Sequence, residues 1–329
     1  MGLMEKLKKN SKMTFTSVLE ESQFFNEKEK IPTVIPALNI ALSGEVDGGL
    51  SSGILQIAGQ SKHFKTSFAL YMTSAYLKKY PEAVCLFYDS EFGSPKEYFQ
   101  NFDIDTSKVL HTPVTNVEEL KFDIMNQLEN IERGEKVIIL IDSIGNLASK
   151  KEVDDALNEK SVADMSRAKQ LKSLFRMITP HLTLKNLPLI AINHTYSDMG
   201  LFPRQVTSGG TGITYSSNDI WIVGRNQEKD NSGEVKGYNF IINVEKSRRV
   251  KEKSKIEVNV TYEDGVSKFS NILPLAIEFG VVSKQPAGWY IIKGTETKCR
   301  EKDLYTDEFL NSLLNNEEFK KFVEKKYKI

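Results

Sequence analysis

Short apolar runs alternate with helix-like segments through the first two thirds of the chain. Four runs rich in Ile, Val, Leu and Ala, each bounded by turn residues, predict buried strands: ILQIAG (54–59), AVCLFYD (83–89), KVIILID (136–142) and LPLIAIN (187–193). Helical spacing is found between them, and SPKEYFQNF predicts a helix capped by Ser94, with Pro95 in its first turn and Glu97 completing a capping box. Buried strands that alternate with helices indicate an α/β fold with a mostly parallel sheet covered on both faces.

The pattern changes at both ends of this region. Residues 1–30 are charged and helix-forming, and their apolar positions have no local core to cover, which predicts an arm that docks on its own domain or on a neighbouring subunit. From about residue 219 the pattern is typical of β-structure, and KDNSGEVKG (229–237) predicts a hairpin loop. We therefore predict three parts: a helical arm (1–30), a core (31–269) and a small C-terminal α/β domain (270–329).

Composition sets limits but names no partner. Of the 329 residues, 40% are apolar and 27% are charged, as expected of a soluble globular protein with one large core. Because 44 basic residues balance 44 acidic ones, any surface for nucleic acid must come from local clustering.

Cys85 lies in an apolar run, so we expect a buried thiol in a reducing compartment. No window approaches the roughly 18 consecutive apolar residues of a membrane span, so we expect no membrane partner and a cytoplasmic protein.

The stretch GQSKHFKTS (59–67) differs by one residue from the phosphate-binding loop G-x-x-x-x-G-K-[ST]. Gly59 ends a predicted strand, and Lys65 and Thr66 begin a helix. In such a loop, backbone N–H groups and the lysine surround phosphates while Ser or Thr holds magnesium. Phe64 stands where the second glycine is expected. A side chain at a positive φ costs roughly 1–2 kcal/mol, which is small beside multidentate phosphate binding, so the sequence predicts a nucleotide site.

Two carboxylates follow strands that end at one edge of the predicted sheet. VIILID ends in Asp142, the arrangement expected of an acid that orders a magnesium shell. Glu91 comes just after the strand CLFYD. Ligands of open α/β sheets bind at this edge, where Glu91 could polarise the attacking water. An exposed loop acid is the alternative for Glu91.

The order and spacing of these motifs resemble a known family. Five segments are similar, in order, to segments of the RecA family of ATP-dependent recombinases: AGQSKHFKTS, LFYDSEFG, VIILIDSIGNLASKKE, IAINHTY and VEKSRRVKEKSK. The resemblance is greatest to its UvsX branch from tailed bacteriophages, which also carries Phe in the phosphate loop, and it runs from about residue 15 to 290. It implies a RecA-like P-loop ATPase core that uses ATP and Mg²⁺.

The resemblance implies which residues hold the nucleotide. The loop would surround the phosphates, and one threonine and one aspartate would hold the metal. The residues concerned are Gly59, Ser61, Lys62, His63, Phe64, Lys65, Thr66 and Ser67 in the loop, Tyr98 stacked on adenine, and Thr66 with Asp142 at the metal.

The resemblance also implies which residues act in catalysis. Lys65 would neutralise charge on the phosphates and Glu91 would activate water. His194 stands where other members have a glutamine that senses the γ-phosphate, and a buried histidine is the alternative. Lys246 and Arg248 would reach across a subunit interface to ATP, and a solvated basic hairpin is the alternative.

Two stretches without strand or helix periodicity match the DNA-binding loops of the family, at about 148–164 and 195–213. Glycine amides and cations suit phosphates, and an apolar side chain suits a wedge between bases. The candidate DNA contacts are Met199, Phe202, Arg204, Gly209, Gly210, Thr211 and Gly212 in the second loop, and Arg167 and Lys172 on the helix after the first. A Gly-rich loop that contacts nothing is the alternative.

The resemblance thus implies an ATP-dependent recombinase in a phage-infected bacterial cell. We expect a filament on single-stranded DNA that pairs with a homologous duplex, exchanges strands and hydrolyses ATP when DNA is bound. A loader and a single-strand-binding protein would be further partners. Two other functions stay open: an ATP-gated DNA-binding mediator without strand exchange, and a RecA-fold helicase.

Overall fold

The computed structural model describes residues 2–22, 28–158, 165–197, 205–230, 232–295 and 297–329. Its strands are β1 (Gly53–Gly59), β2 (Val84–Asp89), β3 (Val109–Pro113), β4 (Val137–Asp142), β5 (Pro188–Ser197), β6 (Gln205–Thr207), β7 (Asp219–Lys229), β8 (Val235–Lys246), β9 (Lys255–Thr261), β10 (Gly265–Val266), β11 (Val282–Gln285), β12 (Trp289–Ile292) and β13 (Lys298–Arg300). Its helices are α1 (Leu3–Asn10), α2 (Pro36–Ser43), α3 (Lys65–Lys79), α4 (Lys96–Gln100), α5 (Val117–Asn130), α6 (Lys150–Leu157), α7 (Ser166–Lys185), α8 (Thr211–Ser216), α9 (Ile272–Phe279), α10 (Asp307–Leu314) and α11 (Glu317–Tyr327).

The main sheet is parallel in its centre and antiparallel at one side. Its strand order is β10-β9-β8-β7-β1-β5-β4-β2-β3, and β6 pairs with the end of β5. The six strands from β7 to β3 run parallel, while β8, β9 and β10 continue the sheet as antiparallel strands. The four predicted strands are β1, β2, β4 and β5, so the predicted parallel sheet is confirmed. The predicted hairpin joins β7 to β8.

Both faces of the sheet are covered, as the apolar strands require. Alternate side chains of β4 enter different cores: Ile138 and Leu140 on one face, Ile139 and Ile141 on the other. Helix α3 packs on the first face, and α5 and α7 pack on the second. None of the helices in the described ranges is both long and apolar enough to cross a bilayer.

The N-terminal arm is less helical than its sequence predicts. Helix α1 ends at Asn10, Ser11 is extended, and only a short 3₁₀ turn (Leu19–Glu21) follows before residue 22. Helix α1 buries none of its residues. A short helix without packing is marginal in water. The predicted arm is helical at Leu3–Asn10 and in the 3₁₀ turn, and the prediction is wrong for residues 11–18.

The predicted cap of α4 is also wrong. The helix begins at Lys96, and Pro95 takes the N-cap position with an extended ψ of 165° and no capping side chain. Ser94 therefore lies one residue too early to act as the cap. The serine–proline pair correctly indicated a helix start but not its register.

Residues 270–329 contain a separate three-stranded antiparallel sheet, β11-β12-β13. The end of this region forms two helices, α10 and α11, because Asn316 interrupts the helical segment and accepts the N–H groups of Glu318 and Phe319 as the cap of α11. Side chains of α11 such as Phe319 and Val323 join the main apolar core. The boundary near residue 270 therefore stays a prediction.

Candidate nucleotide site

Four parallel strands end side by side and bring distant residues to one edge. In the register of the sheet, Gly59 of β1 lies opposite His194 of β5, and Asp89 of β2 lies opposite Asp142 of β4. The pairing between these four strands ends at or near these positions, although β5 itself continues to Ser197 and pairs there with β6. This is the edge at which open α/β sheets bind ligands.

Residues 60–64 form a loop between β1 and α3, and Lys65 and Thr66 begin the helix. Lys65 is 7% exposed, and its Nζ donates to the carbonyl of Gln60 at 2.8 Å, which closes the loop from within. Burial lowers the pKa of Lys65, while the charges of Glu91 and Asp142 act in the opposite direction. Burial disfavours the charged form of Lys65, and an anion bound in the loop would stabilise that form.

Phe64 adopts the backbone of the glycine that it replaces. Its φ of +60° and ψ of 18° are left-handed, at a cost of roughly 1–2 kcal/mol for a side chain. The ring stacks on Phe240 of β8 at 5.1 Å between centroids and meets the edge of Phe68 at 5.4 Å. Aromatic pairs of this kind stabilise by about 0.5–1.5 kcal/mol each beyond their buried area. Packing on β8 therefore offsets the strain, and the loop keeps its shape without the second glycine.

Thr66 and Asp142 form the centre of the site. The Thr66 hydroxyl donates to Asp142 Oδ2 at 2.6 Å, while the buried Oδ1 of Asp142 has no hydrogen-bond partner among the described residues. Burial raises the pKa of Asp142 to about 6, although the Thr66 hydrogen bond opposes the shift. A buried carboxylate oxygen without a partner, next to a threonine hydroxyl, suits a hard divalent cation. Among the described residues no three His, Cys, Asp or Glu converge on a metal, so Mg²⁺ would share this pair with phosphate oxygens.

Glu91 is held by histidine at the same edge. Nε2 of His194 lies 2.9 Å from Glu91 Oε1 and 3.3 Å from the hydroxyl of Ser143. A carboxylate only accepts, so this nitrogen carries the proton. The hydrogen bond from His194 lowers the pKa of Glu91 to about 2. Asp89 orients the turn, since its Oδ1 accepts the N–H of Glu91 at 3.0 Å.

These groups line one cleft of about 340 Å³. The structure brings together nearly all the residues predicted to bind or hydrolyse the nucleotide: Ser61, Lys62, His63, Phe64, Lys65, Thr66, Ser67, Glu91, Tyr98, Asp142 and His194, with Gly59 at the base of the loop. The Tyr98 hydroxyl lies 2.6 Å from Ser67 Oγ, which fixes the ring at the rim.

Sequence reasoning missed several residues of this site. Arg225 of β7 donates to the carbonyl of Lys62 at 3.1 Å, with its guanidinium 4.5 Å from the ring centre of Tyr238. Ser143 could have been predicted as a site residue, because it directly follows Asp142 at the end of β4. Arg225 had no such signal, since 163 residues separate it from Lys62.

Comparisons with known proteins show the family of this chain. The family profile described as the RecA N-terminal domain matches residues 4–267. The chain belongs to the RecA family. The recombination and repair protein of Enterobacteria phage T4 is 48% identical over 337 aligned residues, which cover 99% of this chain and 86% of that protein. Protein RecA of Bifidobacterium breve is 27% identical over 83% of this chain and 68% of its own length, and protein RecA of Aquifex pyrophilus is 27% identical over 80% and 74%.

Two predicted catalytic residues of this RecA-family chain lie away from its own cleft. Strand β8 runs antiparallel to β7, so Lys246 and Arg248 lie at the edge where β7 begins. Lys246 Nζ donates to the carbonyls of Thr214 and Ser217 at 2.7 and 2.8 Å. Arg248 is exposed. Neither can contact a nucleotide held by the same copy, and a contact with a second copy stays a prediction.

The two predicted DNA loops contain more regular structure than their sequences indicated. The first includes α6, which begins with a capping box formed by Ser149 and Glu152. In the second, β5 continues to Ser197 and pairs with β6, and α8 follows. The absence of periodicity was therefore misleading. The motif S-x-x-E at 149–152 was an available helix signal.

The structure does not describe all of the candidate DNA contacts, and one of those it describes is bound within the fold. Met199, Phe202 and Arg204 lie outside the described residues. Arg167 donates to the carbonyls of Leu147, Gly145 and Ile144 at 2.6, 2.9 and 3.0 Å, so its guanidinium is engaged within the fold.

The glycines at the start of α8 fall into two groups. Gly209 and Gly210 have φ of +89° and +76°, and the backbone of Thr211 begins α8 directly after them. A Cβ at Gly212 would lie 2.6 Å from the Lys172 backbone, so close packing of α8 on α7 explains this glycine. The side chain of Lys172 itself is exposed.

Proposed function

We propose that this chain is a DNA-dependent ATPase and homologous recombinase. It binds ATP with Mg²⁺ in the cleft, assembles on single-stranded DNA and exchanges strands with a homologous duplex. The observation that carries the proposal is the hydrogen bond from Thr66 to the buried Asp142, whose other carboxylate oxygen has no partner among the described residues. Membership of the RecA family and the name of the T4 relative, recombination and repair protein, support it.

In this proposal each residue of the cleft has a distinct task in hydrolysis. The N–H groups at the start of α3 and the Lys65 ammonium bind the phosphates. Thr66 and Asp142 would hold Mg²⁺, which supplies positive charge to the phosphate oxygens. Glu91 orients the attacking water and accepts its proton. With its pKa held at about 2 by the hydrogen bond from His194, Glu91 is a weak base, and it becomes a stronger one when His194 turns away.

Strand β5 connects the cleft with the second predicted DNA loop. His194 faces the cleft, and the preceding residue, Asn193, is fully buried and donates from Nδ2 to the carbonyl of Ser208 at 2.9 Å. The Ser208 hydroxyl accepts from Arg167 at 3.1 Å, which ties the loop to α7. A γ-phosphate that moves His194 would shift this strand end. Nucleotide state would thereby change DNA affinity.

The positions of the two sets of residues support assembly of copies in a row. The nucleotide cleft lies at the edge where β1 ends, and Lys246 and Arg248 lie at the edge where β7 begins. Contact between these two edges of different copies would place both cations near ATP. The arm adds a second contact surface, because Leu3, Met4 and Leu7 of α1 are 59–74% exposed.

The decisive experiment is ATP turnover with and without single-stranded DNA, followed by a strand-exchange assay. Replacing Lys65 with Ala should lower turnover at least about 100-fold, because the lysine neutralises transition-state charge. Lys78→Ala is the matched control, since Lys78 lies on the same helix and pairs with Asp103 at the surface. Undiminished turnover by Lys65→Ala would reject the site.

The same assays separate the other functions. DNA-stimulated turnover without strand exchange would indicate a mediator. Closed rings instead of filaments on single-stranded DNA, seen by electron microscopy, would indicate a helicase. A loader and a single-strand-binding protein stay proposed partners.

A further inference from the structure

A basic cavity lies at the edge of the main sheet opposite the nucleotide cleft. Its volume is about 330 Å³, and it borders the segments just before β1 and β7 and just after β8. Five cationic side chains line it: Lys28, Lys30, Arg248, Arg249 and Lys328. They come from three separate parts of the chain, so this concentration of charge is a product of the fold.

Three of the five cations have carboxylate partners. Glu45 accepts from Lys30 at 2.9 Å and from Lys328 at 2.5 Å, and Asp219 accepts from Arg249 at 2.6 Å. Within the described ranges, no carboxylate pairs with the remaining two, Lys28 and Arg248.

The electrostatic environment of Lys28 shows the excess of positive charge. Burial lowers the pKa of Lys28, and the charges of Arg249 and Arg248 lower it further. Neighbouring cations that lower the pKa of a lysine in this way favour the binding of an anion between them.

Two buried polar atoms at this cavity also lack partners. Ser51 is 5% exposed, and its Oγ has no hydrogen-bond partner among the residues described. The same is true of Nε of Arg249, whose terminal nitrogen is bound to Asp219. Buried donors in folded proteins are almost always satisfied. A hydroxyl and a guanidinium N–H that lack acceptors beside unpaired cations therefore indicate an acceptor that the chain itself does not provide.

We propose that this cavity is an anion-binding site for an oligophosphate. Two guanidinium groups suit the geometry of phosphate oxygens, and the volume is at the small end of ligand sites, as a di- or triphosphate requires. The ligand binds from solution, so the site does not depend on the assembly proposed above.

The test uses inorganic tripolyphosphate and a protein whose phosphate loop is disabled. Calorimetry on the Lys65→Ala protein should detect binding that weakens as salt is added. Adding Lys28→Ala or Ser51→Ala should weaken it, by about tenfold for the charged residue. Adding Lys255→Ala should leave the affinity for tripolyphosphate unchanged, since Lys255 is an exposed lysine of β9 and does not line the cavity.

Absence of tripolyphosphate binding to the Lys65→Ala protein overturns the site. Binding that Lys28→Ala does not weaken, or that Lys28→Ala and Lys255→Ala weaken equally, also overturns it. Failure of Lys65→Ala to stop turnover would refute the proposed function but would leave the tripolyphosphate measurement interpretable.

Discussion

The left-handed backbone of Phe64 predicts an inverted order of stability for two substitutions. Phe→Ala at a fully buried site destabilises by about 3–5 kcal/mol, and the Phe64 ring is only partly buried, so Phe64→Ala should cost about 2–3 kcal/mol, including its contacts with Phe240 and Phe68. Phe64→Gly loses the same ring but also relieves a strain of about 1–2 kcal/mol. Glycine pays about 0.5–1 kcal/mol more backbone entropy. The glycine variant should therefore be more stable than the alanine variant by roughly 0.5–1 kcal/mol.

The assay is urea unfolding without nucleotide, followed by circular dichroism, on both variants. Asn126 supplies the control, because it lies inside α5 with an exposed side chain. There Asn126→Gly should be less stable than Asn126→Ala by about 1 kcal/mol, the ordinary helical order. If glycine is also the less stable residue at position 64, the strain argument is wrong. The amide of residue 64 is present in every variant, so all of them should still bind ATP.

Three further predictions concern separate features. Arg225→Ala should raise the KM for ATP severalfold with a smaller effect on kcat, because the carbonyl of Lys62 loses its donor, and Arg225→Lys should restore part of the affinity; an unchanged KM would contradict a positioning role. Burial raises the pKa of Cys85 to about 12, so at pH 8 it stays protonated, and a thiol reagent should label Cys299 and spare Cys85 until the protein unfolds. Gly212→Ala should destabilise by about 1–3 kcal/mol in thermal unfolding, and a neutral result would show that α8 can move away from α7.

The sequence predicted the centre of the fold well because its signals there are local. Strands β1, β2, β4 and β5 are apolar on both faces, so each appears as a continuous run, and parallel strands leave their following residues at one edge. Phosphate-loop spacing and the two strand-end acids were then enough to place Lys65, Asp142 and Glu91 together.

Features that depend on distant contacts were not predictable in this way. Arg225 reaches the phosphate loop only through the register of β7 beside β1, and the basic cavity combines residues near 28, 51, 248 and 328. In the arm the local pattern was misleading: its apolar positions have helical spacing, but α1 buries none of its residues. The contact of Lys246 with a second copy stays a prediction, and periodicity could not reveal the carbonyl acceptors that the fold gives this lysine.

The opposite placement of the nucleotide cleft and the basic cavity has a consequence for any row of copies. If the cleft edge of one copy meets the cavity edge of the next, the contact is heterologous and the row has direction. Its first and last members then differ: one presents a cleft that nothing covers, and the other presents cations that face solvent. Growth and shortening at the two termini should accordingly proceed at unequal rates, even though every member has the same sequence.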